Sequence, residues 1–175
     1  MKQKIILLVA LVLILTMAVE AKPGIPRTHR DSVNVLKQII LESDAVTGAA
    51  VGFAGSVSNT WVAFAWLINI ATAKELIEMT ESKSAVLRVY AYTGLLYRRY
   101  KPLPSVVNRL SEDTTEVKTL SGCIMSNTTV AEATVNNSIW YTREGIEQTW
   151  KKIQNSKKYK KEVFKALVER KPVAR

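Results

Sequence analysis

The chain has 175 residues, enough for one domain that buries about two-thirds of its unfolded surface without a covalent staple. It holds a single cysteine, Cys123, and a single histidine, His29, which excludes an intramolecular disulfide framework, a multi-cysteine zinc site and a histidine metal cluster. The formal net charge of +10 favours acidic or polyanionic partners, or a negatively charged surface, and decides nothing about fold.

Met1–Ala21 reads as a secretory signal peptide. Lys2 and Lys4 form a basic start, the run from Ile5 to Val19 is apolar apart from Thr16, and Val19-Glu20-Ala21 places short residues where a signal peptidase reads, with cleavage after Ala21. The apolar run of 15 residues is shorter than a bilayer-spanning helix requires. The expected destination is therefore periplasmic or extracellular. Lys22–Arg30 reads as a linker, because two prolines and a glycine oppose helix. His29 falls in this linker and has no second histidine with which to share a metal.

The remainder, residues 31–175, reads as one helical domain. Asp31–Ser43 has an apolar stripe at Val35, Leu36, Ile39 and Ile40, with Asp31 or Ser32 as cap. Val46–Val57 is small and glycine-rich. Gly48, Gly52 and Gly55 do not make a phosphate loop, since no Gly-Lys-Ser/Thr follows, and a turn or close helix approach is expected instead. Asn59 is placed to cap a helix over Thr60–Ile70, where Trp61, Phe64, Ala65 and Ile68 form a core stripe. Thr72 and Glu75 form a capping box for Ala73–Thr80. Glu75, Glu78 and Glu81 then lie on its solvent side rather than in an acid/base site. Ser84 caps a long helix over Ala85–Tyr100, on which Arg88, Tyr92, Leu95 and Arg99 form a stripe. Pro104 suits a first helical turn, and Asp113 and Thr114 offer caps for a helix over Thr115–Met125. Val117, Leu120, Ser121 and Ile124 would share one face of that helix, with Gly122 permitting close approach. Cys123 would flank the face as a small core residue rather than a redox thiol.

Asn127-Thr128-Thr129 and Asn136-Asn137-Ser138 match the glycosylation sequon, which matters only in a eukaryotic secretory host; otherwise they read as a cap and a helix-end turn. From Ile139 onward the chain carries eleven Lys or Arg against four Glu, on two basic amphipathic helices. Ile146, Trp150 and Ile153 line one apolar stripe, and Tyr159, Val163, Phe164, Ala166 and Leu167 the other.

Lys74–Ser126 contains two similar units. An offset of 30 residues superposes Ile77 on Val107, Leu87 on Val117, Arg88 on Lys118, Ala91 on Ser121 and Leu95 on Met125. A period in this range suggests stacked helix pairs. The segment LPSVVNRLSEDTTEVK resembles a HEAT-type repeat, in which an apolar helix and an acidic turn precede a Val-Lys step. The short period is similar to the phycobilisome-lyase type of HEAT-like repeat found in small bacterial proteins, over about residues 51–126. The resemblance implies a partner-binding scaffold and carries over no catalytic residue. In such a unit Arg88 would bond back to the acidic turn.

The expectation is thus an all-α protein: a short α-solenoid of HEAT-like helix pairs, closed by C-terminal basic capping helices. It would be a secreted or periplasmic non-catalytic scaffold for protein–protein interaction, with no enzyme activity, cofactor or metal. The alternative is a peripheral binder of an anionic membrane or envelope surface; nucleic acid is disfavoured for an exported chain. The candidate contact residues are Arg88, Tyr92 and Arg99 on the long helix and Lys151, Lys152, Lys158, Lys161 and Lys165 on the basic helices.

Overall fold

The computed structural model describes residues 28–101, 104–134, 143–155 and 157–169. The signal peptide with its Ala21 cleavage point, most of the expected linker, Pro102, the second sequon and the side chain of Lys158 lie outside the described residues.

The elements run α1 (His29–Leu41), β1 (Ala45–Val51), β2 (Ser56–Val57), α2 (Asn59–Ile70), α3 (Ala73–Met79), α4 (Ala85–Tyr97), α5 (Pro104–Ser111), β3 (Glu116–Gly122), β4 (Ile124–Thr129), α6 (Val130–Thr134), α7 (Arg143–Asn155) and α8 (Lys157–Val168). The fold is mixed α/β, which corrects the all-α solenoid. A four-stranded sheet of order β2-β1-β3-β4 stands where the solenoid needs helices. β1 pairs parallel with β3, and the β1–β2 and β3–β4 pairs are antiparallel.

Two segments account for the correction. Over Glu116–Leu120 the side chains alternate charged and inward-facing, with Val117 and Thr119 buried and Glu116 and Lys118 exposed. That is a period of two, and β-branched Val117, Thr119, Thr128 and Thr129 suit a pleated strand. Val117 and Leu120 also fit helical spacing, so a short window satisfies both patterns; the turn decides between them. Ser121 pairs with Ile124 across Gly122 and Cys123, and Gly122 has φ 56°. This Gly-first, two-residue connection is a hairpin turn. Gly122 therefore supplies a left-handed turn, not close helix packing.

The second segment, Val46–Val57, forms a hairpin around Gly52 and Gly55, at φ 73° and 59°. Small side chains let β1 lie between β2 and β3 while Ala45, Val46 and Thr47 are buried. The 30-residue self-similarity thus pairs a helix, α4, with a hairpin, β3–β4. It reflects apolar spacing common to both and is not a structural repeat.

The helices form where capping and periodicity predict, with shifted ends. Thr28 caps α1, its hydroxyl accepting the Asp31 N–H at 3.1 Å, so the helix starts two residues before the expected Asp31. Ser58, one residue before the expected Asn59, caps α2. The Thr72–Glu75 capping box is present on α3, and Ser84 caps α4. α4 stops at Tyr97 rather than Tyr100, because Arg99 turns left-handed at φ 57°. Thr129, in the first sequon, accepts the Glu132 N–H at 3.2 Å and caps α6.

The core is built around α2, on which every residue from Trp61 to Ile68 is buried. A helix apolar on all sides is one enclosed by neighbours. α1, β1 and α4 surround it, and α7 packs on it from the C-terminal side. Phe64 stacks on Tyr90 of α4 at 4.5 Å between ring centroids, and Trp66 meets Phe164 of α8 edge-on at 6.2 Å. α4 lies against both β1 and β3 and closes one face of the sheet.

Candidate interaction surfaces

The tip of the sheet is the most apolar exposed region among the described residues. Val51 pairs with Gly122, and the Gly52 N–H donates to the Gly122 carbonyl at 2.9 Å. These contacts hold the β1–β2 and β3–β4 turns side by side. Phe53 on one turn is fully exposed, and Ile124 and Met125 beside the other are 72% and 61% exposed. They are the three most exposed large apolar side chains described. Cys123 sits at the same turn and is exposed, which corrects its expected place beside a core stripe. Its neighbours reverse at the hairpin instead of continuing a helix. No charged residue occurs in Ala45–Thr72 or in Thr119–Ala131, so the tip is uncharged as well as apolar.

A second surface lies on α7 and α8. Ile146 and Ile153 of α7 and Val163, Phe164 and Leu167 of α8 are buried and Trp150 is half-buried, so these members of the apolar stripes face the core, while the side chains of Tyr159 and Ala166 lie outside the described residues. Lys151 and Lys152 are exposed on α7, and Lys157, Lys161 and Lys165 are exposed on α8. The last three recur every four residues and form a single column along the helix. Like charges at this spacing cost an isolated helix about 0.2–0.5 kcal/mol per pair. Lys165 has Glu169 at 3.9 Å, at the end of the column.

The stripe Arg88, Tyr92 and Arg99 does not form one exposed ridge. The Arg88 guanidinium is nearly buried and grips Asp113, donating from Nε to Oδ2 at 2.7 Å and from its terminal nitrogen to Oδ1 at 3.2 Å. Its other terminal nitrogen donates to the Ser82 and Lys83 carbonyls at 2.8 and 3.1 Å. Arg88 thus binds the acidic turn at Asp113, 25 residues further along the chain, but that turn leads into a strand and not into the second helix of a HEAT-like unit. Burial pulls the Asp113 carboxyl upward, but the Thr115 and Arg88 hydrogen bonds outweigh it and hold the group below the usual carboxylate range. Tyr92 is buried, and burial pushes its hydroxyl up. Arg99 alone of the three is exposed.

His29 and the three glutamates of the Glu75–Glu81 stretch have local partners. His29 Nε2 stands 3.5 Å from Glu75 Oε2. Burial raises the Glu75 carboxyl, but the Thr72 hydrogen bonds and His29 outweigh it, and the group lies below its ordinary value. Glu78 lies 4.0 Å from Lys74, and Glu81 lies 3.1 Å from Arg109. A cleft of about 370 Å³ between the start of α4 and the far end of the sheet is lined by Asp44, Glu116, Lys118 and Asn127 with Ala85, Val86 and Val117. Its mixture of charges selects no ligand class. Among the described residues no group of three or more His, Cys, Asp or Glu could hold a metal, and no helix is long and apolar enough to cross a membrane.

Phe53, Ile124 and Met125 escaped the sequence reading. A phenylalanine between two glycines, Gly52 and Gly55, is the one local signal that a large apolar side chain sits on a turn. Ile124 and Met125 were hidden by the helical reading of their segment.

Comparison with protein-family models, with curated proteins and with solved structures finds no match for the chain.

Proposed function

We propose that the protein is a non-catalytic peripheral binder of anionic membrane or envelope surfaces, and that the lysines of α7 and α8 make the contact. The observation that carries this reading is the exposed column Lys157, Lys161 and Lys165, with Lys151 and Lys152 beside it, on helices that bury Ile146, Ile153, Val163, Phe164 and Leu167 in the core. Among the described residues these helices expose no apolar stripe, so they attract a surface by charge and do not submerge in it. The net charge of +10 acts in the same direction at longer range. A protein-binding scaffold was the first expectation from the sequence, but it drew its binding surface from a solenoid. The mixed sheet removes that surface, and the charged face becomes the better support.

The test is sedimentation with vesicles of phosphatidylcholine alone and of phosphatidylcholine with phosphatidylglycerol. The chain from Lys22 onward serves, since every described element lies within it. Binding should require the anionic lipid and weaken as salt shortens the range of the interaction. Each lysine near such a surface contributes about 1 kcal/mol, so the triple change Lys157→Ala, Lys161→Ala, Lys165→Ala should weaken binding on the order of 100-fold. Absence of binding to anionic vesicles at low salt refutes the proposal.

A further inference from the structure

We infer that the paired hairpin tips are a second membrane contact, inserting Phe53, Ile124 and Met125 into the headgroup–acyl boundary of the anionic bilayer; this rests on the surface-binding reading above. Four observations select the occupant. The tips are convex turns held together by the Val51–Gly122 pairing, so they are shaped to enter a medium and not to receive a ligand. They expose their three large apolar side chains without a charged residue in either flanking segment, and charge is what the acyl region of a bilayer excludes most strongly. Their apolar area is on the order of 400 Å², well below the roughly 800 Å² per partner of a stable protein interface. Insertion into lipid requires neither that area nor shape complementarity. The net charge of +10 fits an anionic bilayer and opposes a second copy of the chain.

The division of labour follows from chemistry. Lysines on α7 and α8 supply long-range attraction that salt screens. The tips supply short-range apolar contact that salt does not screen. Hence the binding remaining at high salt should depend on the tips, whereas low-salt capture should depend on the lysines.

Cys123, the chain's one cysteine, is exposed at the tip and takes a probe without further engineering. The chain from Lys22 is labelled there with an environment-sensitive nitrobenzoxadiazole and mixed with vesicles containing phosphatidylglycerol. The expected result is a blue shift and protection from aqueous iodide. A probe at Ser111→Cys in a Cys123→Ser background should show neither. Phe53→Ser with Met125→Ser should weaken binding about tenfold at high salt. Their thermal midpoint should not move, because both side chains already face solvent. A chain that binds through its lysines while the Cys123 probe stays in water overturns the insertion and leaves the lysine reading intact. A probe that inserts while the triple lysine variant binds normally overturns the lysine reading alone. Absence of vesicle binding overturns both. A dimer in sedimentation that Met125→Asp dissolves assigns the tips to a second copy and overturns the inference.

Discussion

The Tyr90 hydroxyl takes the place of a neighbouring strand beside Thr47. It accepts the Thr47 N–H at 2.7 Å and donates to the Thr47 carbonyl at 3.2 Å. β2 is only two residues long and pairs with Ala50 and Val51, so it does not reach Thr47. A buried strand residue would be left with two unmet backbone groups, and a side chain from α4 satisfies both. The Thr47 hydroxyl completes the arrangement through Ser58 at 2.5 Å, the residue that caps α2. One tyrosine thereby locks the sheet to two helices.

Tyr90→Phe should cost about 2–3 kcal/mol, the penalty for leaving buried backbone groups unpaired. Base denaturation should also change. Burial pushes the Tyr90 hydroxyl from 10.0 up to about 12, against the lowering effect of its Thr47 hydrogen bonds. The folded state therefore holds this proton where the unfolded state has released it. The stabilisation is complete below pH 10 and is lost as pH rises from 10 through about 12. Chemical denaturation across that window should show a steeper loss of stability for the native chain than for Tyr90→Phe. Equal slopes would refute the assignment.

Gly94 marks the closest approach of α2 and α4. A Cβ placed there would stand 2.6 Å from the Ile68 Cγ2 and 3.2 Å from its Cβ. Both residues belong to packed helices, so relief requires a helix to move. Gly94→Ala gains about 1 kcal/mol of helix propensity and loses more to overpacking, which costs about 1–3 kcal/mol. The expected net effect is a destabilisation of up to about 2 kcal/mol. Combined with Ile68→Ala, the double variant should cost less than the sum of the single changes. Strict additivity in urea denaturation would show that the contact does not limit the packing.

The helical half of this fold was legible because its signals are local. Thr72 with Glu75, Ser84 before Ala85, and Pro104 in a first turn each specify a helix start within four residues. The buried stripes of α7 and α8 needed only their spacing. The sheet was not legible, because its strands draw support from distant partners. β1 is made of Ala, Gly, Val and Thr, which reads as loop until β3, about 70 residues later, supplies its parallel neighbour. Over Val117–Ile124 the apolar Val117, Leu120 and Ile124 fit helical spacing while Val117 and Thr119 fit strand spacing, and the decisive residue was Gly122. The exposure of Lys151, Lys152, Lys161 and Lys165 could be read directly, since charge on the outer side of an amphipathic helix stays outside. The apolar tip could not, because it depends on two turns being brought together by the sheet.

Arg88 and Asp113 join the start of α4 to the turn before β3, 25 residues away in sequence. Their side chains are 11% and 14% exposed, so water screens them weakly. Asp113→Asn removes the charge while keeping the shape. It leaves the guanidinium one neutral amide oxygen in place of the forked carboxylate, beside the Ser82 and Lys83 carbonyls, and it should cost about 2–3 kcal/mol. The carboxyl titrates below its ordinary 3.8 in the folded protein. Its contribution is present above the unfolded value and is lost as pH falls through the depressed folded value. Acid titration of stability should therefore be shallower below pH 4 for Asp113→Asn than for the native chain. Arg88→Lys should be nearly as damaging, because an ammonium cannot reproduce the forked contact.

Arg99 occupies a position that glycine would fill more comfortably. α4 ends with the Tyr100 N–H donating to the Leu95 carbonyl and the Arg99 N–H to the Leu96 carbonyl, each at 3.0 Å. This pattern of helix closure places Arg99 in the left-handed region, at φ 57°. An L-residue with a β-carbon pays about 1–2 kcal/mol there, and glycine returns part of that gain through its freer unfolded chain. Arg99→Gly should stabilise the protein by about 0.5–1 kcal/mol, raising the thermal midpoint by roughly 1–4 °C. Arg99→Ala keeps the strained backbone and should change the midpoint by less. The two variants remove the same charge, so comparing their binding to anionic vesicles separates conformation from contact. Equal weakening would mean that the Arg99 guanidinium touches the surface. No weakening would mean that the residue only closes the helix, at a cost to stability.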